Sequence, residues 1–245
     1  MEQAIETKTA REMAVPLIGR RDELRAFVMA FRGRQSRLIL GPPGAGKTRL
    51  LREACVLALQ PVVVSNRLVV LHQLLVDLAG QLGCRSRRFP DVKRATSQTL
   101  QFLILEELKQ RPRCVVLEDA RETDPRMYRF LQRAYYIPQC CLIVTATGRE
   151  RLGHLHKLLW DPRETIVLEP LNRLDSELLF DEAARLAQLD LLNLEDFRNK
   201  ALAAARGNPG QIVAMCRMAA RPEYREGRRV KFAPLRIDML SSFAL

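Results

Sequence analysis

Apolar positions along the chain follow two spacings, and these spacings divide it. From Asp22 to Arg32, Leu24, Phe27, Val28 and Phe31 recur at i, i+3, i+4 and i+7, one face of an amphipathic helix. The next pattern is a short apolar run, SRLIL at 36–40, closed by glycine, which predicts a buried strand. A helical stretch from about Gly46 to Leu59 leads to a second strand, PVVVSN at 61–66. Helical spacing returns over 68–82 and again over 97–110, where Thr96 or Ser97 supplies a cap. Three more apolar runs follow: CVVLEDA at 114–120, CCLIVTAT at 140–147 and TIVL at 165–168. Helical patterns separate these strands. Strands alternating with helices predict a parallel sheet covered on both faces.

The character changes after Pro170. Strand-like runs cease, and helices are predicted over 175–189, 194–205 and 211–220, punctuated by Gly207-Asn208-Pro209. The expected organisation is an arm over 1–15, an α/β core over 16–170, and a small helical lid subdomain over 171–245 ending in a basic tail. The fold class is therefore α/β, with a five-stranded parallel sheet followed by a helical subdomain.

One segment carries specific chemistry. Gly41-Pro42-Pro43-Gly44-Ala45-Gly46-Lys47-Thr48 fits GxxxxGK[ST], the Walker A spacing, between a predicted strand and a predicted helix. Glycines let backbone N–H groups turn inward around phosphate oxygens with no Cβ in the way. The following helix aims its N-terminal dipole at the same anion. Lys47 reaches the β and γ phosphates, the Thr48 hydroxyl binds Mg²⁺, and Arg49 sits beside them. ATP and Mg²⁺ are thus the expected cofactors of a P-loop NTPase. The third strand ends in Glu118-Asp119, which puts two carboxylates at the same sheet edge. One should hold the metal and the other polarise the attacking water. Glu118 is the expected metal ligand with Thr48, although which carboxylate faces the metal stays open. Thr145, at the end of the fourth strand, can contact the γ-phosphate or that water. Arg149, Arg151 and Arg163 lie near the same edge or just before the fifth strand, where an arginine can be offered to a neighbouring subunit's nucleotide.

Charge adds a second theme. Forty Lys and Arg oppose 28 Asp and Glu in 245 residues, leaving a formal +12. The excess is clustered. Arg85, Arg87, Arg88, Lys93 and Arg94 face only Asp91 in one stretch; Arg217, Arg221, Arg225, Arg228, Arg229, Lys231 and Arg236 face Glu223 and Glu226 in another. Such clusters suit phosphate backbones. No base-reading element is evident, so contact with DNA should be sequence-independent. No apolar run approaches the ~20 residues of a membrane span, and MEQAIETKTAREMA lacks an apolar signal region, so a cytoplasmic chain is expected. The six cysteines form no CxxC pair and read as buried hydrophobes in a reducing compartment.

Taken in order, LIGRRDELRAF, GPPGAGKTRLLREA, VVLEDARETDP, VLEPLNRLDSELLF and ARGNPGQI resemble the nucleotide-binding core of AAA+ and STAND ATPases, in the branch that includes ORC-like proteins. The resemblance spans roughly residues 15–220. It implies that Leu17, Ile18, Gly19 and Arg20 pack near adenine, and that Gly207, Asn208 and Pro209 form the lid motif that closes over the nucleotide. It also implies that Arg163 is an arginine finger and that Thr145 stands near the first sensor position. Two departures stand out: Glu118 replaces the usual Asp, and Pro209-Gly210 occurs where many relatives carry a sensor arginine, with Arg206 a poor substitute. The layout is similar to helper ATPases of DNA transposition and helicase loading. The function read from the sequence is an ATP-hydrolysing switch that self-associates into a ring or filament, in association with DNA. The alternative is a module locked by ATP or ADP that binds a partner protein with little turnover. A small-molecule kinase fits less well, since no separate acceptor-binding lid is apparent.

Overall fold

The computed structural model describes residues 15–58, 62–66, 70–84 and 92–243. The arm, and Arg85, Arg87 and Arg88 of the first basic stretch, lie outside the described residues. The chain divides into two compact units. One comprises Asp22–Pro42 and Lys47–Leu168; the other comprises Pro43–Gly46, Glu169–Leu245 and the stretch up to Arg21.

The first unit is built on a five-stranded parallel sheet. Its strands are β1 (Arg37–Leu40), β2 (Val62–Ser65), β3 (Arg113–Leu117), β4 (Cys140–Ala146) and β5 (Thr165–Val167), in the order β2-β3-β4-β1-β5. Five helices flank it: α1 (Arg21–Arg32), α2 (Lys47–Ala58), α3 (Leu71–Leu82), α4 (Ser97–Gln110) and α5 (Pro125–Tyr135). Local chemistry fixes their ends. Thr96 caps α4 by accepting from the Thr99 N–H, and Gly83 ends α3 in a left-handed conformation. Asp124 caps α5 ahead of Pro125. Side chains alternate across the sheet. Leu38, Val115, Leu117, Leu142 and Val144 enter one apolar cluster with residues of α3, α4 and α5. Ile39, Cys114, Val116, Cys141 and Ile143, of opposite parity, are buried as well, so both faces are covered.

The predicted helix between the fourth and fifth strands is absent. Residues 149–152, 154–157 and 162–164 instead form short 3₁₀ turns. Gly148, Gly153 and Pro162 break the segment too often for an α-helix to propagate.

The second unit contains α6 (Arg173–Leu186), α7 (Leu194–Ala205), α8 (Pro209–Ala219) and α9 (Phe232–Phe243) around its own core, which includes Phe180, Phe197, Ile212, Met215 and Leu235. Val15 and Ile18 pack on this core. Two features depart from the sequence reading. Arg225–Glu226 and Arg229–Val230 form a small antiparallel hairpin, β6 and β7, with Gly227 at positive φ in its turn. The expected basic tail continues into helix α9. Among the described residues no helix is long and apolar enough to cross a membrane. All six cysteines are free thiols; five are buried and Cys55 is half-buried.

Candidate nucleotide site

The sheet register sets the geometry. Leu40 pairs with Ala146 and Leu117 with Val144, so Gly41, Thr145 and the Glu118-Asp119 pair come off adjacent strand ends. The chain leaves β1 toward β2 and leaves β4 in the opposite sense, toward β5. Ligands of open α/β sheets gather at the carboxyl edge beside such a reversal. The N–H of Gly41 donates to the Ala146 carbonyl at 3.2 Å, and this bond fixes where the loop departs.

Gly44 and Gly46 adopt φ of +80° and +97°, the left-handed region that turns consecutive N–H groups into a concave loop. Thr48 is exposed in the first turn of α2. Lys47 Nζ donates to the carbonyls of Gly41 at 2.6 Å and Pro42 at 3.1 Å, which holds its charge over the loop. Burial pushes the Lys47 ammonium below the usual lysine range, and the charge of Asp119 opposes that shift. Arg49 pairs loosely with Glu53 at 3.7 Å.

Glu118 and Asp119 diverge. The parity of β3 puts Glu118 on the sheet face that carries Cys114. Helix α2 lies on that face: burial, and secondarily Glu118, raise the Cys55 thiol to about 11. Asp119 sits in a turn at φ +50°, with its side chain 57% exposed and paired to Arg121 at 3.2 Å. Thr145 is buried beside the turn that follows β3. It is only 1% exposed, and its hydroxyl accepts the Asp119 N–H at 3.0 Å, while the Ala120 N–H donates to its carbonyl at 2.7 Å. It therefore shapes the turn that presents the acids.

Within the helical unit, Asn208 caps α8 by accepting from the Gln211 N–H, and its Nδ2 donates to the Pro43 carbonyl at 2.8 Å. The Gly210 N–H donates to the Gly44 carbonyl at 2.9 Å. A Cβ on Gly210 would lie 2.6 Å from the Gly44 Cα, so only glycine fits. Pro209 Cγ lies 3.8 Å from where a Cβ on Gly46 would be. In the sequence, Gly210 shows only as a position without the sensor arginine that many relatives carry. The available signal was a glycine in the first turn of a helix, where it weakens the helix unless backbones approach closely. Gly19, at φ +69°, packs against Asp175, and the 5% exposed Arg20 donates to the Glu169 carbonyl at 2.5 Å. Arg206 takes the left-handed position that ends α7 and is exposed.

The remaining arginines are not gathered at the loop. Arg163 immediately precedes β5, so it lies at the amino edge of the sheet, opposite Gly41. Its guanidinium is 90% exposed and grips Asp161 through Nη2 at 2.8 Å and Nε at 3.1 Å, holding that carboxyl below its usual range. Arg149 donates to the Leu159 carbonyl at 3.0 Å and to the Thr165 hydroxyl, so it fastens the 3₁₀ segment. In the C-terminal basic stretch, Arg225 donates to the Ala219 carbonyl at 2.6 Å, Arg228 pairs with Asp190, and Lys231 with Glu226 at 3.7 Å. Arg217, Arg229 and Arg236 are exposed there. The stretch is therefore partly neutralised by its own fold, because Arg228 and Lys231 pair with carboxylates.

The donor set suits a nucleotide with a divalent cation. An exposed hydroxyl at Thr48, two carboxylates at the end of β3 and a glycine cradle are hard oxygen ligands and phosphate donors. Among the described residues no group of three or more His, Cys, Asp or Glu could hold a metal alone. Mg²⁺ held jointly by protein and phosphates needs no such group.

No protein-family model matches the chain, and no curated protein matches it in sequence. Solved structures do. A Walker-type ATPase of Pyrococcus abyssi aligns with TM-score 0.65 at 16% identity, covering 92% of this chain and 72% of that one. The Aeropyrum pernix ORC1 protein, solved in complex with DNA, aligns with TM-score 0.64 at 18% identity over 93% of this chain and 66% of its own. A signal-transduction STAND ATPase with a tetratricopeptide repeat sensor, from Pyrococcus horikoshii, aligns with TM-score 0.54 at 18% identity; 94% of this chain corresponds to 33% of that protein. The chain has the fold of the P-loop AAA+ and STAND ATPases.

Proposed function

We propose that the chain binds ATP with Mg²⁺ and hydrolyses it to ADP and phosphate, acting as a nucleotide-dependent switch that self-associates and works on DNA. The observation that carries this reading is the loop between β1 and α2. Two left-handed glycines open it, Lys47 is held over it, and two carboxylates leave β3, one strand removed from β1, at the same sheet edge. Backbone N–H groups of 44–48 and the Lys47 ammonium take the β and γ phosphates. Thr48 and Glu118 hold Mg²⁺, which when bound neutralises charge developing on the phosphate oxygens. Asp119, fixed by Thr145, orients the attacking water and receives its proton. Within the helical unit, Asn208 and Gly210 donate to the Pro43 and Gly44 carbonyls.

DNA association draws on the net charge of +12 and on the likeness to a protein solved with DNA. Arg163 serves a neighbouring copy, because it lies at the sheet edge away from its own loop. A second reading, a module locked by nucleotide with little turnover, is favoured by one observation: glycine stands at 210, where a charge-sensing arginine is expected. Phosphate release measured across protein concentrations, with and without DNA, separates the two. Stimulated turnover supports the switch. Tight ATP binding with no release under any condition supports the locked module.

A further inference from the structure

We infer that a cleft beside α5, away from the phosphate loop, seats a strand of nucleic acid, its phosphates on Arg126, Arg129 and Arg133 and a base against Phe102. The inference rests on the DNA reading above and assigns that contact to a surface outside the two basic stretches noticed in the sequence.

The cleft has a volume of about 620 Å³ and lies wholly within the sheet-bearing unit, between the starts of α3 and α4 and one side of α5. Arg126, Arg129 and Arg133 line it. Their spacing of i, i+3 and i+7 puts them on one face of α5, and over seven residues the row runs about 10.5 Å. A nucleic-acid strand carries one phosphate per nucleotide, so the three arginines can meet about three phosphates of one strand. All three side chains are exposed, and among the described residues none is in an ion pair. This distinguishes them from Arg225 and Arg228, which the fold has already engaged. Among the described residues the one carboxylate lining the cleft, Asp124, is committed to capping α5: its Oδ1 accepts from the Arg126 and Met127 N–H groups at 2.7 and 2.8 Å. The opposite wall is neutral and polar. It carries Gln98, Gln101 and a His72–Ser97 pair at 3.1 Å.

Phe102 decides between classes of partner. It is 63% exposed on α4, adjacent to Gln101 and one turn on from Gln98. An exposed aromatic ring on the same helix as the two amides of the cleft wall, with three arginines on the other wall, has the composition of a stacking platform beside an electrostatic track. An acidic peptide would use the arginines alone.

The test is fluorescence anisotropy with a labelled oligo-dT, with salt varied. Changing Arg126, Arg129 and Arg133 together to Gln should weaken binding at least tenfold at low salt. It should also flatten the slope of log affinity against log salt by about 2, at roughly 0.7 per phosphate contact on a single strand. Phe102→Ala should weaken binding roughly tenfold and leave the slope unchanged. Binding of an ATP analogue and the melting temperature should stay at wild-type values in all variants; the three single Gln variants, each flattening the slope by about 0.7, serve if the triple variant is unstable. A control changes Arg217, Arg229 and Arg236 to Gln. If the control abolishes binding and the α5 variant does not, the cleft is wrong while the DNA reading stands. If wild type binds no oligonucleotide at low salt, the DNA reading fails and takes the cleft with it. Displacement by polyglutamate, with no effect of Phe102→Ala, overturns the proposal in favour of an acidic protein partner.

Discussion

The hydroxyl of Thr145 accepts the backbone N–H of Asp119 at 3.0 Å, and through this bond one strand end sets the conformation of the next. Asp119 occupies φ +50°, which costs most residues energy but which Asp and Asn tolerate better than others. Removing the acceptor leaves that N–H without its partner, at a cost of about 1–3 kcal/mol. Thr145→Val should therefore lower kcat about tenfold with ATP affinity changed less than twofold, and Thr145→Ser should restore it. Single-turnover phosphate release checks this. Unchanged kcat in the Val variant would remove Thr145 from the positioning of the acids.

Glu118→Gln and Asp119→Asn should separate the two carboxylates. Both variants should keep nucleotide, because loop N–H groups and Lys47 supply most of the phosphate contacts. Asp119→Asn preserves the left-handed turn and should lose turnover at least 100-fold while the ATP complex accumulates. Glu118→Gln should raise the Mg²⁺ concentration needed for half-maximal activity. Magnesium titrations of turnover with each variant give the answer; wild-type behaviour in both would show that this strand end is not the catalytic edge.

How much of this was legible in the sequence depended on whether the determinant was local. GPPGAGKT and the apolar run before it placed the loop and β1, since glycine spacing and a buried strand are written in consecutive residues. The contact of Gly210 with Gly44 joins residues 166 positions apart, and no local pattern encodes it. The positive φ of Asp119 and the bond its N–H donates to Thr145 arise only when β3 and β4 pair. The hairpin at 225–230 was missed because strands of two residues carry no periodicity, although Glu226-Gly227 marked a turn. The Arg126, Arg129 and Arg133 row was readable as a helical face, but diluted among 33 arginines it showed no contrast until burial and ion pairing were known.

Gly210→Ala tests the loop-tip contact. The added methyl would meet the Gly44 backbone at 2.6 Å, so the backbones must separate. Overpacking of this kind costs about 1–3 kcal/mol, which lowers the melting temperature by roughly 2–10 °C for a chain of this size. ATP affinity should fall as well, because the tip glycine moves. Calorimetry and an ATP titration on the same sample check both; a stable variant with normal affinity would show that the Gly44–Gly210 approach is incidental.

Arg163→Ala should leave ATP binding intact and lower turnover only where copies associate. Wild-type specific activity should accordingly rise with protein concentration, and the variant should not follow. Specific activity flat from dilute monomer to assembled protein would exclude action in trans.

A pH dependence follows from Lys47. Burial holds its ammonium below the ordinary lysine value, and phosphate favours the charged form. Binding therefore takes up protons once pH exceeds the lowered value, and ATP affinity should decline with rising pH earlier than an ordinary lysine would dictate. Lys47→Arg stays charged, so whatever affinity it retains should be flat over the same range. Titrations at several pH values between 7 and 10 compare the two; parallel profiles would contradict the role of Lys47 as the phosphate-facing charge.

The most direct measurement is equilibrium titration of wild type and Lys47→Ala with a fluorescent ATP analogue in Mg²⁺. Loss of a charge-assisted contact worth about 1.5–3 kcal/mol predicts affinity lower by roughly 10- to 150-fold in the variant, with its fold intact by circular dichroism. Equal affinity in the two proteins, or no binding by wild type, would contradict the assignment of this loop as the nucleotide site.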